Sequence, residues 1–240
     1  MNKEEFIYIG RRLYEEGLVD SHAGNISVRD GDNIYITRRD VMLSEIKEAD
    51  IIKLPITGPS PEDESASREL PTHRDVYAST SAKAIIHAHP PHAVGLSITE
   101  NKIVPQDAEA QYLIKGAPII RVREAIGSTE AAKYLVTNAY NNGYVVAMVK
   151  GHGSFAIGDT LMNAYKYTSC LENACKILFV VKTVEGTRGR SGGGESGGRD
   201  RRGPQGRDRS PQGRDERRTA IPRGIGVMDR SRRGRREREF

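Results

Sequence analysis

Cysteine is scarce in this chain: of 240 residues, only Cys170 and Cys175 carry thiols. Five apart on an expected helix, they do not face each other. That excludes a disulfide framework and makes a reducing cytoplasm the expected setting. Long apolar runs are missing too. Nothing approaches the roughly 20 consecutive apolar residues that a bilayer crossing needs, and Met1-Asn2-Lys3-Glu4-Glu5 leads into an amphipathic pattern, not an apolar leader. Positive charge is missing from most of the chain, although the total is +5. From Gly186 to Phe240 there are 17 Arg, no Lys and 8 acidic residues, a net of +9, which leaves residues 1–185 at −4. Those 185 residues give no electrostatic reason to bind nucleic acid.

The composition divides the chain into an expected folded body, 1–185, and a tail, 186–240. The body is long enough to bury about 70% of its unfolded surface in one domain. The tail is mostly Arg, Gly, Asp, Ser and Pro, with Pro-Gln-Gly-Arg-Asp at 204–208 and again at 211–215. It has too little apolar surface to offset its ordering entropy and is expected to be disordered. Arg/Gly-rich segments can hold single-stranded RNA. Here no aromatic precedes Phe240 in the tail and eight acids dilute the charge. Nucleic acid is therefore expected at most through the tail, and a solvating extension or shifted-frame translation past an ancestral stop explains it as simply.

Within the body, periodicity predicts alternating elements. Asn2 and Glu5 suit a capping box, Phe6, Ile9 and Leu13 a helix, and Gly17 its stop. Strands are expected at 26–29 and 33–37, joined by Asp30-Gly31-Asp32, and at 51–54, after a helical turn over 44–49. A loop over 57–67 precedes a helix at 68–79. Then come a strand at 83–89, helices at 90–98 and 107–114, a strand at 118–121 and a helix at 128–142. Strands at 144–149 and 154–157 precede a last helix, capped by Asp159 and ending near Val184. The early hairpin argues against a doubly wound parallel sheet. An α/β fold of three layers is expected, α+β-like, with a central mainly antiparallel sheet flanked by helices.

The chemistry concentrates in Ile85-Ile86-His87-Ala88-His89-Pro90. Side chains at i and i+2 of a strand share a face, so His87 and His89 converge if this stretch is extended. His152, in Gly151-His152-Gly153, offers a third imidazole. Three His ligands leave a fourth zinc position open, the mark of a catalytic site. An open zinc can hold both oxygens of an α-hydroxy ketone and stabilise an enediolate. A base is also needed. Glu69 is the candidate, and a carboxylate that merely favours the helix N-terminus is the competing account. His22, His73 and His92 are expected to be structural or to support the site.

Gly24-Asn25-Ile26-Ser27-Val28-Arg29, Glu69-x-x-x-His73, His87-x-His89 and Gly151-His152-Gly153 occur in the order and at the spacings of the class II aldolase/adducin family, which residues 3–182 resemble. The resemblance implies a nine-stranded, mainly antiparallel sheet with helices on both sides, and a fourfold homotetramer with sites between subunits. It implies one Zn2+ per subunit on His87, His89 and His152, with Glu69 approaching the metal at rest and moving the proton. The implied reaction is reversible cleavage of a ketose 1-phosphate, here L-fuculose 1-phosphate, into dihydroxyacetone phosphate and L-lactaldehyde. The phosphate pocket would comprise Gly24, Asn25, Arg39, Asp40, Ser67 and Arg68. Of these, Arg39-Asp40 stands where the aldolases have Thr-Gly, and Ser67-Arg68 where they have Ser-Ser; a solvated loop in which Arg38, Arg39 and Asp40 form salt bridges is the competing account. Glu109 replaces a family tyrosine, and no tyrosine follows Tyr167. A pentulose-phosphate 4-epimerase, a methylthioribulose-1-phosphate dehydratase and a non-enzymatic, adducin-like binding module are the alternatives.

Overall fold

The computed structural model describes residues 1–191, with side chains through Thr187. The expected tail beyond 191 lies outside the described residues. Eight strands form one sheet among the described residues, where the family resemblance implies nine. They are β1 (Asn25–Asp30), β2 (Asn33–Thr37), β3 (Ile51–Pro55), β4 (Ala84–Ala88), β5 (Lys102–Ile103), β6 (Ala117–Ile120), β7 (Val146–Val149) and β8 (Gly153–Gly158). The order is β3-β2-β1-β4-β8-β7-β6-β5, and every pairing is antiparallel except β6 with β7. The expected mainly antiparallel sheet is therefore present.

Among the described residues six α-helices flank it: α1 (Lys3–Glu15), α2 (Leu70–Ser79), α3 (Pro91–Thr99), α4 (Ala108–Leu113), α5 (Thr129–Asn138) and α6 (Leu161–Ser191). Side-chain alternation along the strands sorts the core onto two faces. Ile34, Ile36, Ile85, Ala147 and Phe155 point to one face, under Val76 and Tyr77 of α2 and Ala131, Ala132 and Leu135 of α5. Ile26, Ala84, Ile86 and Ala88 point to the other, against Phe6, Ile9 and Leu13 of α1 and Leu161 and Ala164 of α6. Farther along that second face, Val146, Met148 and Ala156 meet Ala93, Ala110, Leu171 and Ala174 of α3, α4 and α6. The result is three layers, helix on sheet on helix. Strand β4 is buried on both faces, which is why it is apolar throughout except for His87.

Several boundaries differ from expectation for local reasons. Asn2 caps α1 through the Glu4 N–H at 3.0 Å, the second helical position and not the third that a capping box uses. The turn over 44–49 is two 3-10 turns, Leu43–Glu45 and Glu48–Asp50. Another 3-10 turn, Pro61–Glu64, sits inside the expected loop. The helix expected from 68 begins at Leu70, with Glu69 at its N-cap and Pro71 in its first turn. Thr160, not Asp159, caps α6: its Oγ1 accepts from Asn163 N–H at 3.1 Å. That helix continues to Ser191, past the change in composition at Gly186. Cys170 and Cys175 are unpaired thiols. No helix of the described residues is long and apolar enough to cross a membrane.

One buried polar chain ties α2 to β1. Ser27 Oγ lies 2.6 Å from His73 Nδ1 and 2.8 Å from the Tyr77 hydroxyl, and all three residues are fully buried. Tyr77→Phe removes one hydroxyl and is expected to cost about 1 kcal/mol. Ser27→Ala strands two buried polar groups and is expected to cost about 2–4 kcal/mol. Denaturant melts of both variants check the order, and equal losses would contradict it.

Candidate metal centre

The site sits where β4 ends and β8 begins, on the α2 face. β4 lies between β1 and β8, so His87 has Asn25 opposite on one side and Phe155 on the other. Phe155 stacks on the His87 ring at 4.2 Å between centroids. The Ser154 carbonyl lies 3.0 Å from His87 Nδ1. A carbonyl can only accept, so Nδ1 carries the hydrogen and Nε2 keeps its lone pair. His89 lies just past β4, tied by its N–H to the Leu18 carbonyl at 2.8 Å. His152 caps the β7–β8 hairpin, with its N–H on the Val149 carbonyl at 3.0 Å.

The three imidazoles converge. His87 Nε2 and His89 Nε2 are 2.9 Å apart, and one ligand nitrogen from each of the three rings lies within 4.8 Å of the others. Tetrahedral zinc with Zn–N near 2.0–2.1 Å spaces its ligands about 3.3 Å apart, so a small adjustment suffices. Burial pushes His87 well below its usual range, helped by repulsion from His89 and His152. Burial, and then His152, lowers His89 to about 4. Both rings are thus neutral at pH 7, the form a metal requires. The donor set fits a divalent ion.

Glu69 is 3% exposed. It occupies the α2 N-cap, yet its side chain makes no capping hydrogen bond. Its Oε1 instead lies 3.3 Å from His152 Nε2 and accepts from the Gly127 N–H at 2.9 Å, while Oε2 accepts from Thr72 Oγ1 at 2.8 Å. Burial pushes the carboxyl up, but the bonds from His152, Thr72 and Gly127 together outweigh it and leave it below its ordinary value. Glu69 is ionised at neutral pH.

The imidazoles and Glu69 form the floor of one pocket. Its walls include Gly24, Asn25, Arg39, Asp40, Ser67 and Arg68, all six expected substrate residues, joined by His22, Arg38 and Ile126. Expected salt bridges on the surrounding loop are also present: Arg68–Asp40 at 3.1 Å and Arg38–Asp50 at 3.7 Å. His73 turns away to Ser27, and His92 pairs with buried Glu172 at 2.7 Å. Glu109 lines a different groove, with Leu113, Met162 and Cys170. Sequence reasoning missed Gly127, Thr72, Ser154 and Ile126. Gly127 reaches Glu69 across 58 residues, and no local pattern announces such a contact.

Gly153 makes room for the rings. A Cβ there would lie 2.5 Å from the Ala88 carbonyl oxygen, 2.6 Å from His89 Cδ2 and 2.7 Å from His87 Cε1. Gly153→Ala is expected to displace both imidazoles and to weaken metal binding about 10- to 100-fold, read by competition with a chromogenic chelator. Unchanged affinity would count against this packing.

A pH effect also follows. His73 and His87 are fully buried, and burial lowers His73 to about 4. Unfolded, each takes a proton near pH 6.5. Their contribution to stability is complete above pH 6.5 and is lost progressively as pH falls below it. Metal-free protein is expected to lose about 1.4 kcal/mol per pH unit for each of these two residues in that window. Melts between pH 7 and 5 check it, and a flat profile would refute it.

Comparison with known proteins agrees with the geometry. The model of the Class II Aldolase and Adducin N-terminal domain matches residues 4–179. An L-fuculose phosphate aldolase of Methanocaldococcus jannaschii is 30% identical over 181 residues, covering 75% of this chain and 97% of that protein. A probable bifunctional methylthioribose-1-phosphate isomerase/methylthioribulose-1-phosphate dehydratase of Nocardia farcinica is 25% identical over 192 residues, covering 70% of this chain and 34% of that one. Among solved structures, L-fuculose-1-phosphate aldolase from Thermus thermophilus superimposes with a TM-score of 0.71 at 32% identity, covering 80% of this chain and 97% of that one. The chain belongs to the class II aldolase and adducin N-terminal domain family, and it is one of the family's lyases.

Proposed function

We propose that this lyase is a zinc-dependent aldolase acting on a ketose 1-phosphate. L-Fuculose 1-phosphate is the leading substrate, and dihydroxyacetone phosphate and L-lactaldehyde are the products. The observation that carries this reading is the buried, ionised Glu69 carboxylate 3.3 Å from His152 Nε2, at the edge of three converging imidazoles. Three nitrogen donors suit zinc among the divalent ions. Bound at His87, His89 and His152, zinc would supply Lewis acidity toward a sugar carbonyl.

The chain's own groups account for the rest. Glu69 stands ready as the base that takes a proton from the carbon beside the carbonyl in the synthetic direction, and returns it in cleavage. Thr72 and the Gly127 N–H hold it in place whether or not His152 turns elsewhere. Asn25 is 5% exposed, and its Oδ1 has no partner among the described residues, an open acceptor for a sugar hydroxyl. Arg39 has no carboxylate partner among the described residues: its Nε donates to the Ala66 carbonyl at 3.3 Å, leaving its terminal nitrogens for an anion. We assign the phosphate to the wall formed by Gly24, Asn25, Arg39, Ser67 and Arg68. Exposed Ile98, Phe179 and Val180 suit subunit packing in a homotetramer, and two unpaired thiols suit a reducing cytoplasm.

The dehydratase alternative is favoured by the Nocardia relative, and it would use the same imidazoles. Product identification separates the two. With zinc-loaded full-length protein, release of dihydroxyacetone phosphate is expected, lost on chelation and restored by zinc. Glu69→Gln is expected to keep its metal and lose about 10²- to 10⁴-fold in cleavage rate. Full activity in that variant would end the role assigned to Glu69.

A further inference from the structure

Two described residues other than glycine hold a positive φ, Asp40 and Lys115, each at 58°. Of these, Asp40 lines the metal pocket. A left-handed backbone disfavours a side chain, and glycine would adopt it freely. Aspartate is among the few side chains that tolerate this backbone, so the position suits glycine, Asn or Asp, and what the carboxylate touches distinguishes it. Its carboxylate reaches across 28 residues to Arg68, whose Nη2 donates to Oδ1 at 3.1 Å and Oδ2 at 3.4 Å. Both side chains are more than 60% exposed, at 62% for Arg68 and 63% for Asp40. An ion pair that wet contributes little to folding, so stability does not explain it.

The geometry of the pair does. A guanidinium offers a carboxylate or phosphate two double-pronged edges, and Nη2 belongs to both. Asp40 sits on that nitrogen. Gly127 packs closely on the Arg68 backbone, since a Cβ there would lie 2.2 Å from the Arg68 carbonyl oxygen. The exposed Arg68 side chain has room to move. Arg39, on the same wall, has no competing carboxylate among the described residues.

We infer that Asp40 is a specificity-determining residue: it competes internally for Arg68, withholding that guanidinium from monoanions and releasing it to the dianion of a phosphate monoester. A monoanion only matches the charge of Asp40. A dianion exceeds it and takes the fork. This inference rests on the sugar-phosphate reading above and adds the device that selects the anion.

The test uses zinc-loaded full-length protein, with inorganic phosphate and acetate as probes in calorimetry at about pH 8, where phosphate is mostly dianionic. The natural chain is expected to bind phosphate and not acetate. Asp40→Asn keeps a residue that tolerates the left-handed backbone, and is expected to tighten phosphate about threefold and to admit acetate. Asp40→Gly, free of backbone cost, is expected to do the same and covers the case of a poorly folded Asn variant. Arg68→Gln is expected to weaken phosphate about tenfold or more. In the Arg68→Gln background, Asp40→Asn is expected to have a smaller effect than in the natural chain. The inference is overturned if the Asp40 variants bind phosphate more weakly or keep the natural discrimination, or if Arg68→Gln binds phosphate as the natural chain does. A separate cleavage assay keeps the two ideas apart. The expected anion shifts without release of dihydroxyacetone phosphate would sink the aldolase reading alone, and cleavage without the shifts would sink this one alone.

Discussion

Neutral imidazoles do not gather with their lone pairs facing one another unless something holds them there. In this molecule the β-ladder does. The Ser154 carbonyl is fixed by the pairing of β8 with its neighbours and dictates which nitrogen of His87 carries hydrogen. The Phe155 ring closes one side of His87, and the bare Cα of Gly153 leaves space for both His87 and His89. Three consecutive residues of one strand thus set the tautomer, the tilt and the clearance of the metal ligands. A first-rate donor set in flexible loops would lack this preorganisation, which second-neighbour contacts normally supply.

The carboxylate is governed by a different balance. Burial alone would favour a neutral Glu69, and a neutral acid could not serve as the base. Its charge survives because donors from three separate segments meet it: Thr72 one turn along the helix, His152 in a hairpin, and the Gly127 N–H at the approach to α5. The same Gly127 packs closely on the Arg68 carbonyl. One glycine thus meets both Glu69 and the pocket wall that carries Arg68. That contact joins the sheet-end chemistry to the α2/α5 layer packed beneath it.

Much of this was legible in the residues. The period of two in His87-x-His89 survives as convergence because β4 is extended there, and its burial on both faces appears in the sequence as an apolar run. The third imidazole was marked by its flanking glycines. The hairpin of β1 and β2 betrayed the antiparallel character of the sheet. What stayed hidden depended on distant partners or on competition between near-equivalent neighbours. Asp159 and Thr160 are both capable caps, and only the geometry of the turn selected Thr160. Strand β5 is two residues long and carries no pattern of its own. Glu69 could not be told from an ordinary helix-terminal acid until its donors were placed. Asp40 looked like part of a solvated loop, and only its backbone angle and its reach to Arg68 distinguish it.

The position of β4 has a consequence for biosynthesis. It is inserted between β1, more than fifty residues earlier, and β8, more than sixty later. A ribosome adding about 5–20 residues per second exposes the His87-x-His89 pair several seconds before the third imidazole follows. Only the pairing of β8 with β4 brings His152 to the other two imidazoles, so the three-nitrogen cluster is completed by the most long-range strand pairing of the described residues and not by the first appearance of its side chains.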